Sequence, residues 1–449
     1  MDIVSLLPQF GGLIWTIVAF VVALSVIVAI HEYGHYIVGR WSGIHADVFS
    51  IGFGPVLWSR HDKRGTRWQI AALPFGGYVK FAGDSNAASG KDEDAMEEAA
   101  RDPVAYRRTM HGAPLWARTA TVAAGPVFNF IMSILVFAAV AMTAGQDREP
   151  LTVGELTPLP SQTRGLEPGD VIVEVAGLEI PRKDDPAYGE FLDAIPVEPV
   201  LPFVVERDGT QVELTDPYIL PPVIAGLSAK SAAMAAELEI GDVITAIDGT
   251  PVFAFSQLKN AVEGSDGATL DLTVWRDGQE IAVSLSPKRI DEPLDEGGFQ
   301  TQWRIGVASG YSFTPARETL GPGAALLRGV DRTGEIITGS LSGLWHMIAG
   351  NIGTCNLSGP VGIAQVSGQM ASQGFLSFVV FIAVLSTAVG LLNLFPIPAL
   401  DGGHLVFYAY EAVMGRPPSD AALRVLMTIG LTLVLSLMVF ALYNDFRCP

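Results

Sequence analysis

Four stretches of the chain contain no Asp, Glu, Lys or Arg: residues 3–30, 119–146, 336–400 and 425–444. A helix needs about 20 mainly apolar residues to cross the hydrocarbon core of a bilayer. Each gap holds such a run, at residues 13–30 continuing to 39, at 121–144, at 375–395 and at 425–443. The pattern predicts four transmembrane helices. The first is too long for a signal peptide, and only Asp2, with no basic residue, precedes it. Residues 47–58 and 67–81 read as two β-strands, with the charged stretch 60–67 between them.

Charge in the loops predicts orientation. Residues 40–118 carry 11 Lys and Arg in 79 positions, whereas residues 145–373 carry 14 in 229 alongside 32 acidic residues. Basic loops stay in the cytoplasm, so 40–118 and the short loop with Arg416 and Arg424 are expected inside. Residues 145–373 and both termini are then outside. Residues 84–102, acidic and Ala-rich, read as a solvated cytoplasmic loop without chemistry.

The composition agrees with a membrane protein that has a water-facing part. Of 449 residues, 49% are hydrophobic and only 17% charged, where a soluble domain has about a quarter charged. A net charge of −19 leaves no basic footprint for nucleic acid. Two cysteines, Cys355 and Cys448, are too few for a disulfide-rich framework or a cysteine metal cage.

The external segment repeats itself. Gly165-Leu166-Glu167-Pro168-Gly169-Asp170-Val171-Ile172 is echoed by Leu238-Glu239-Ile240-Gly241-Asp242-Val243-Ile244. Glu206-Arg207-Asp208-Gly209 is echoed by Trp275-Arg276-Asp277-Gly278. Two copies of one small α/β unit are expected, at residues 150–220 and 221–290. They resemble tandem PDZ domains, which bind peptides by adding a strand to a sheet edge; inert spacers are the alternative.

The candidate chemistry begins at His31-Glu32-Tyr33-Gly34-His35. On a helix, positions i and i+4 share a face, so both imidazoles can reach one metal ion while Glu32 holds a water. At about 1.5 Å per residue from Leu13, His31 lies roughly 27 Å along a core about 30 Å thick. Ionisable groups at that depth are functional by default; a histidine pair in the headgroup region is the alternative. A catalytic zinc takes three protein ligands and keeps one open position. The third candidate is Asp401 in Asn393-Leu394-Phe395-Pro396-Ile397-Pro398-Ala399-Leu400-Asp401-Gly402-Gly403-His404, with His404 as its rival. The third span enters from outside and is broken by Pro396 and Pro398, which brings Asp401 to the depth of His31 and His35. A fifth span at residues 334–354 would reverse that segment, so this stretch, free of charge from residue 336 onward, is expected to lie as a helix on the outer surface.

These motifs, with Gly125-Pro126-Val127-Phe128-Asn129 and Ser358-Gly359-Pro360-Val361-Gly362, make the whole chain resemble the site-2 protease family of intramembrane zinc metalloproteases, in its bacterial RseP type with paired PDZ units. The resemblance implies that His31, His35 and Asp401 bind Zn2+ and that Glu32 is the general base. Asn393, Pro396 and Pro398 match family positions that engage an unwound substrate, although Asn393 as helix-packing glue is the alternative. The family also has a membrane re-entrant β-hairpin where this chain carries Gly52, Phe53 and Gly54. That hairpin could receive the substrate as an added strand, and an ordinary cytoplasmic hairpin is the alternative.

The fold expected is therefore a polytopic α-helical membrane protein with four transmembrane helices, a re-entrant β-hairpin and two periplasmic PDZ-like α/β domains. Its segments are 1–40 (first span), 41–118 (β region and loop), 119–146 (second span), 150–220 and 221–290 (PDZ-like), 300–373 (surface helix), 374–404 (third span) and 424–444 (fourth span). The function expected is proteolysis of single-span membrane proteins, such as anti-sigma factors or signal-peptide remnants, in the bacterial inner membrane after a first external cut. The partners implied are those substrates, their tails at the PDZ units, and the lipid bilayer. The rival class is a non-catalytic PDZ-bearing receptor with a vestigial metal site.

Overall fold

The computed structural model describes residues 3–448 apart from 86–89, 162, 184, 229 and 295–297. It divides into two compact units: residues 1–140, 322–345 and 357–449, and residues 141–321 and 346–356.

The first unit is helical. Among the described residues, four helices are long and apolar enough to cross a membrane, at the four positions expected from the charge gaps. They are α1 (Ile3–Trp41), α2 (Leu115–Thr143), α5 (Phe375–Asn393) and α7 (Asp420–Arg447); between them lie α3 (Pro322–Ile348), α4 (Pro360–Ser372) and α6 (Asp401–Met414). Helix α3 starts well before the charge-free stretch and carries Arg328, Asp331, Arg332 and Glu335, so it is not among the four. Apolar solvent offers no hydrophobic drive between helices, and small residues and side-chain hydrogen bonds supply the contacts. Gly390 of α5 packs where a Cβ would meet Asn129 Cβ and Pro126 O at 3.1 Å. Beside it Ser133 Oγ donates to Ala383 O at 2.8 Å and Ser386 Oγ donates to Asn129 O at 3.1 Å. In the same way α3 lays Gly329 on the backbone of α2 at Ile134, and Asp445 of α7 accepts from Gly359 N and Gly362 N at the start of α4.

After α1 the two expected strands form, as β1 (Ala46–His61) and β2 (Arg67–Phe81). They are longer and more bent than a plain hairpin. Residues 46–51 face 77–81 and, on the other side, 67–70, while 56–61 face 67–71. The two strands thus fold on themselves into a four-stranded sheet. The bends fall at Gly52 (φ 91°), Gly54 (φ 83°) and Gly76 (φ 138°), conformations that side chains with a Cβ resist. The tip around the bends exposes Phe53, Val56, Leu57 and Leu73.

The expectation of a wholly solvated loop at 84–102 is corrected. Asp84 is buried, accepts from Phe81 N at 3.0 Å and lies 3.1 Å from His111, and Glu93–Ala99 is a helix capped by Asp92. Residues 86–89 of that stretch lie outside the described residues.

The second unit holds the repeat. Strands β3 (Val171–Val175), β4 (Leu178–Glu179), β5 (Val200–Arg207) and β6 (Thr210–Pro217) make one sheet in the order β4-β3-β5-β6. Strands β7 (Val243–Ile247), β8 (Thr250–Pro251), β9 (Leu270–Arg276) and β10 (Gln279–Leu285) make a second in the matching order β8-β7-β9-β10. The echoed residues do equivalent work. Arg207 grips Asp170 at 2.7 Å and Glu167 at 2.8 Å, and Arg276 grips Asp242 at 2.6 Å and Glu239 at 2.8 Å. Asp208-Gly209 and Asp277-Gly278 turn their hairpins with positive φ at both positions. Residues beyond 290 then return to the repeats. Val307–Ser309 pairs with Ile224–Leu227, and Phe313–Pro315 pairs with Val153–Leu156. Ile305 enters the core of the second repeat and Phe313 that of the first.

Candidate active site

Helix α1 presents His31 and His35 one turn apart, on the side facing α2. Their approach depends on missing side chains. A Cβ on Gly125 would lie 2.4 Å from His35 Nε2 and 2.8 Å from His31 Cε1, and one on Gly34 would lie 2.5 Å from Ala124 O. The far nitrogens are held: His35 Nδ1 donates to Thr121 O at 2.9 Å, and His31 Nδ1 lies 3.2 Å from Asn129 Nδ2.

Asp401 arrives from the other side. After α5 the chain passes through Pro396 and Pro398 and restarts as α6, whose first residue is Asp401. Gly402 and Gly403 permit this tight return, because a Cβ on either would lie about 2.2–2.3 Å from carbonyl oxygens of Phe395 and Ile397. Asp401 Oδ2 stands 3.1 Å from His31 Nε2 and 3.5 Å from His35 Nε2, and the two imidazole Nε2 atoms are 3.2 Å apart. His31, His35 and Asp401 form the one group among the described residues whose donor atoms converge within 4.8 Å, as metal ligands must. Asp401 Oδ2 is buried without a hydrogen-bond partner. An orphaned carboxylate oxygen between two imidazole nitrogens fits a cation, since a buried charge otherwise stands uncompensated. His404 lies one turn along α6 against Phe407, outside that group.

The three residues open onto a cavity of about 780 Å³ that also takes in Glu32, Asn393, His404 and the strand residues Gly77, Tyr78 and Val79. Lys91, Glu93 and Met96 line the far side, so the stretch expected to carry no chemistry shapes the cavity wall. Arg118 and Glu411, joined by two hydrogen bonds of 3.0 and 2.6 Å, tie the start of α2 to α6 there.

The remaining expected residues divide. Asn393 borders the cavity, its Nδ2 donating to Val389 O of its own helix at 3.1 Å. Pro398 packs against Gly403 and Gly430, and Pro396 is exposed. Phe53 stacks on Tyr78, with ring centroids 5.9 Å apart, while Gly52 and Gly54 sit at the bend, outside the cavity wall. Thr121, Gly125 and Asn129 were not singled out as site residues from the sequence. The available signal was a lone asparagine in a charge-free span, which needs a partner in lipid.

The peptidase family M50 profile matches residues 19–437. A protein of Agrobacterium fabrum named as a zinc metalloprotease is 36% identical, with 98% of each chain covered. One of Rhizobium meliloti, similarly named, is 35% identical, with 96% of each chain covered. The regulator of sigma-E protease RseP of Salmonella typhimurium is 32% identical, with 97% of this chain and 99% of that one covered. Converging donors, a membrane-length helix behind them and similarity over the full length lead to one conclusion: the chain belongs to peptidase family M50 and is a membrane zinc metalloprotease of the site-2 type, not a receptor with a vestigial site.

Proposed function

We propose that this enzyme cuts single-span membrane proteins within or beside their transmembrane helices, with His31, His35 and Asp401 as the zinc ligands and Glu32 as the general base. The observation that carries the reading is the orphaned Asp401 Oδ2 facing both Nε2 atoms, with Glu32 on the same cavity. Zinc held there by His31, His35 and Asp401 would supply Lewis-acid chemistry, acidifying a water towards a pKa of about 7 and polarising a carbonyl. Glu32 takes a proton from the attacking water and hands it to the leaving amide nitrogen. His31 needs its Nδ1 protonated to keep Nε2 free for a metal. Asn129 then turns its Oδ1 to that N–H, an amide orientation that also satisfies an oxygen otherwise buried without a partner.

A substrate helix must unwind before its backbone can be cut, and lipid offers its freed amides nothing. Residues 77–81 form an outer strand of the folded β-sheet and border the cavity, which favours reception of the unwound segment as an added strand. The apolar tip at Phe53, Val56, Leu57 and Leu73 favours a re-entrant position of the sheet in the bilayer.

The two repeats are read as PDZ-like units on the periplasmic side, passing substrates already shortened by a first cut and excluding bulky ectodomains; anti-sigma factors and signal-peptide remnants are substrates of that kind. Loop charge supports the orientation.

The test is Glu32→Gln in the purified protein with a model single-span substrate. Cleavage is expected to vanish while zinc stays stoichiometric; near-normal turnover would remove Glu32 from the mechanism.

A further inference from the structure

A second concave site lies in the helical unit, at the end of α1. It encloses about 380 Å³ and is bounded by Arg40, His45, Arg64 and Arg108, with backbone from residues 43–46. Local folding brings these residues together. Helix α1 ends at Trp41, Gly43 turns the chain with φ 83°, and β1 begins at Ala46. The turn between β1 and β2 comes back beside this start. Asp62 Oδ1 accepts from Arg64 N at 2.8 Å and Thr66 N at 3.0 Å, which closes the turn with Arg64 at the pocket. A Cβ on Gly65 would sit 3.6 Å from His45 Cε1. Arg108 is held next to it by His45 N donating to Arg108 O at 2.9 Å.

The charges do not balance. Arg40 reaches Asp62 at 3.4 Å and His45 reaches Asp47 at 3.6 Å. Asp62 is already shared among the turn amides, Tyr36 and Trp68. The guanidiniums of Arg64 and Arg108 have no acidic partner among the described residues. Several cations around one concavity repel one another unless an anion joins them. Guanidinium forks match phosphate oxygens in shape as well as in charge.

We infer that this pocket binds the phosphate of an anionic phospholipid headgroup. Position selects the lipid over a soluble phosphate. Arg40 lies on the last turn of a membrane-length helix, and Trp41 beside it is exposed, as aromatic residues at headgroup level are. Basic pockets next to helix ends on the cytoplasmic side take such headgroups. The inference rests on the membrane-spanning reading of α1 and on the expected cytoplasmic side of residues 40–118, but not on zinc chemistry.

The experiment titrates the full-length protein in neutral detergent micelles with phosphatidylglycerol, and in parallel with phosphatidylcholine and with inorganic phosphate. Saturable binding of phosphatidylglycerol is expected, with phosphatidylcholine and millimolar phosphate at least tenfold weaker. Arg64→Gln with Arg108→Gln should weaken phosphatidylglycerol binding about thirtyfold, at about fivefold per guanidinium. Both side chains are exposed, so the thermal unfolding midpoint in detergent should be unchanged and will report an intact fold. Arg60→Gln with Lys63→Gln removes two charges from the same region but outside the pocket lining, and should change binding less than about threefold. An equal loss in that control pair would reduce the effect to diffuse turn charge and overturn the site. Phosphate binding as tightly as the lipid would overturn the lipid assignment, and failure to distinguish the two lipids would overturn both. Protease activity does not enter any of these readouts, so a wrong catalytic assignment would leave them untouched.

Discussion

Gly125→Ala tests the active-site geometry with one methyl group. The added carbon would lie 2.4 Å from His35 Nε2, 2.5 Å from His35 Cε1 and 2.8 Å from His31 Cε1, where ordinary contact begins near 3.4 Å. The imidazoles, or α2 itself, must give by about 1 Å, whereas metal sites tolerate donor shifts of about 0.2 Å. Misplacement of about 1 Å costs on the order of 100-fold in rate, and disturbing the support of a ligand costs about 10–100-fold in metal affinity. Zinc affinity, measured by competition with a chromophoric chelator, should fall by about 10–100-fold, and turnover at saturating zinc by about 100-fold. The fold itself should lose only about 1–3 kcal/mol, the usual cost of overpacking. Gly339→Ala is the control, because nothing lies within 4 Å of a Cβ there. On an exposed helix position it should be neutral or stabilise by up to about 1 kcal/mol. A Gly125→Ala enzyme with wild-type zinc affinity and turnover would show that the two imidazoles do not meet against α2 as described.

Asp401→Ala should strip zinc and activity together, while His404→Ala should keep the metal; the reverse result would make His404 the third ligand. For pH, burial is the larger influence on Asp84 and raises its carboxyl above the ordinary 3.8, with His111 opposing. Folded protein then holds a proton that the unfolded chain has released, so this residue's contribution to stability falls as pH rises from 3.8 through the raised value. Asp84→Asn should remove that slope, and thermal unfolding in detergent should show the variant gaining on wild type as pH rises; a gain on lowering pH would contradict the assignment. Excision of both repeats should leave zinc binding and hydrolysis intact and abolish the preference for pre-trimmed substrates, compared as cleavage rates in cells lacking the upstream protease. The cut belongs at residues 149–315, because Arg148 N and Ala316 O are hydrogen-bonded at 2.8 Å and a short linker can join them. If the shortened enzyme remains selective, the filter lies elsewhere.

The parts legible in the sequence are those with a strong local period or a fixed spacing. Charge-free runs of membrane length located the four helices that, among the described residues, are long and apolar enough to cross a membrane, and HEYGH announced two imidazoles on one helix face. The third donor was reachable because a helix broken by two prolines must end near its neighbours' ends. The repeats were readable through the Arg-Asp-Gly and Gly-Asp-Val-Ile marks, each tied to a turn or a buried ion pair. What escaped has no periodic signature. Strands of three residues, such as Val307–Ser309 and Phe313–Pro315, are too short to show alternation. The folding of β1 and β2 into a four-stranded sheet depends on glycine bends, which a strand pattern treats as interruptions. Asp84 looked like one more solvated acid, and only the three-dimensional path shows it closing a turn against His111.

The return of Phe313 to the first repeat bears on the order in which this chain can be made. The first repeat starts with Val153–Leu156, yet its closing strand lies beyond the second repeat, whose body is therefore an insertion within it. During synthesis the first copy waits, open on one edge, for roughly 90 residues to emerge, and at about 5–20 residues per second that is a delay of about 5–20 seconds. The second copy lacks Ile305 and Val307 for a much shorter interval. A strand edge left unpaired that long is exposed to pairing with other chains. A nascent chain stalled between residues 221 and 312 would present that edge continuously, and a quality-control protease or chaperone that recognises unpaired strands would meet it first in the half of the tandem that was translated earlier.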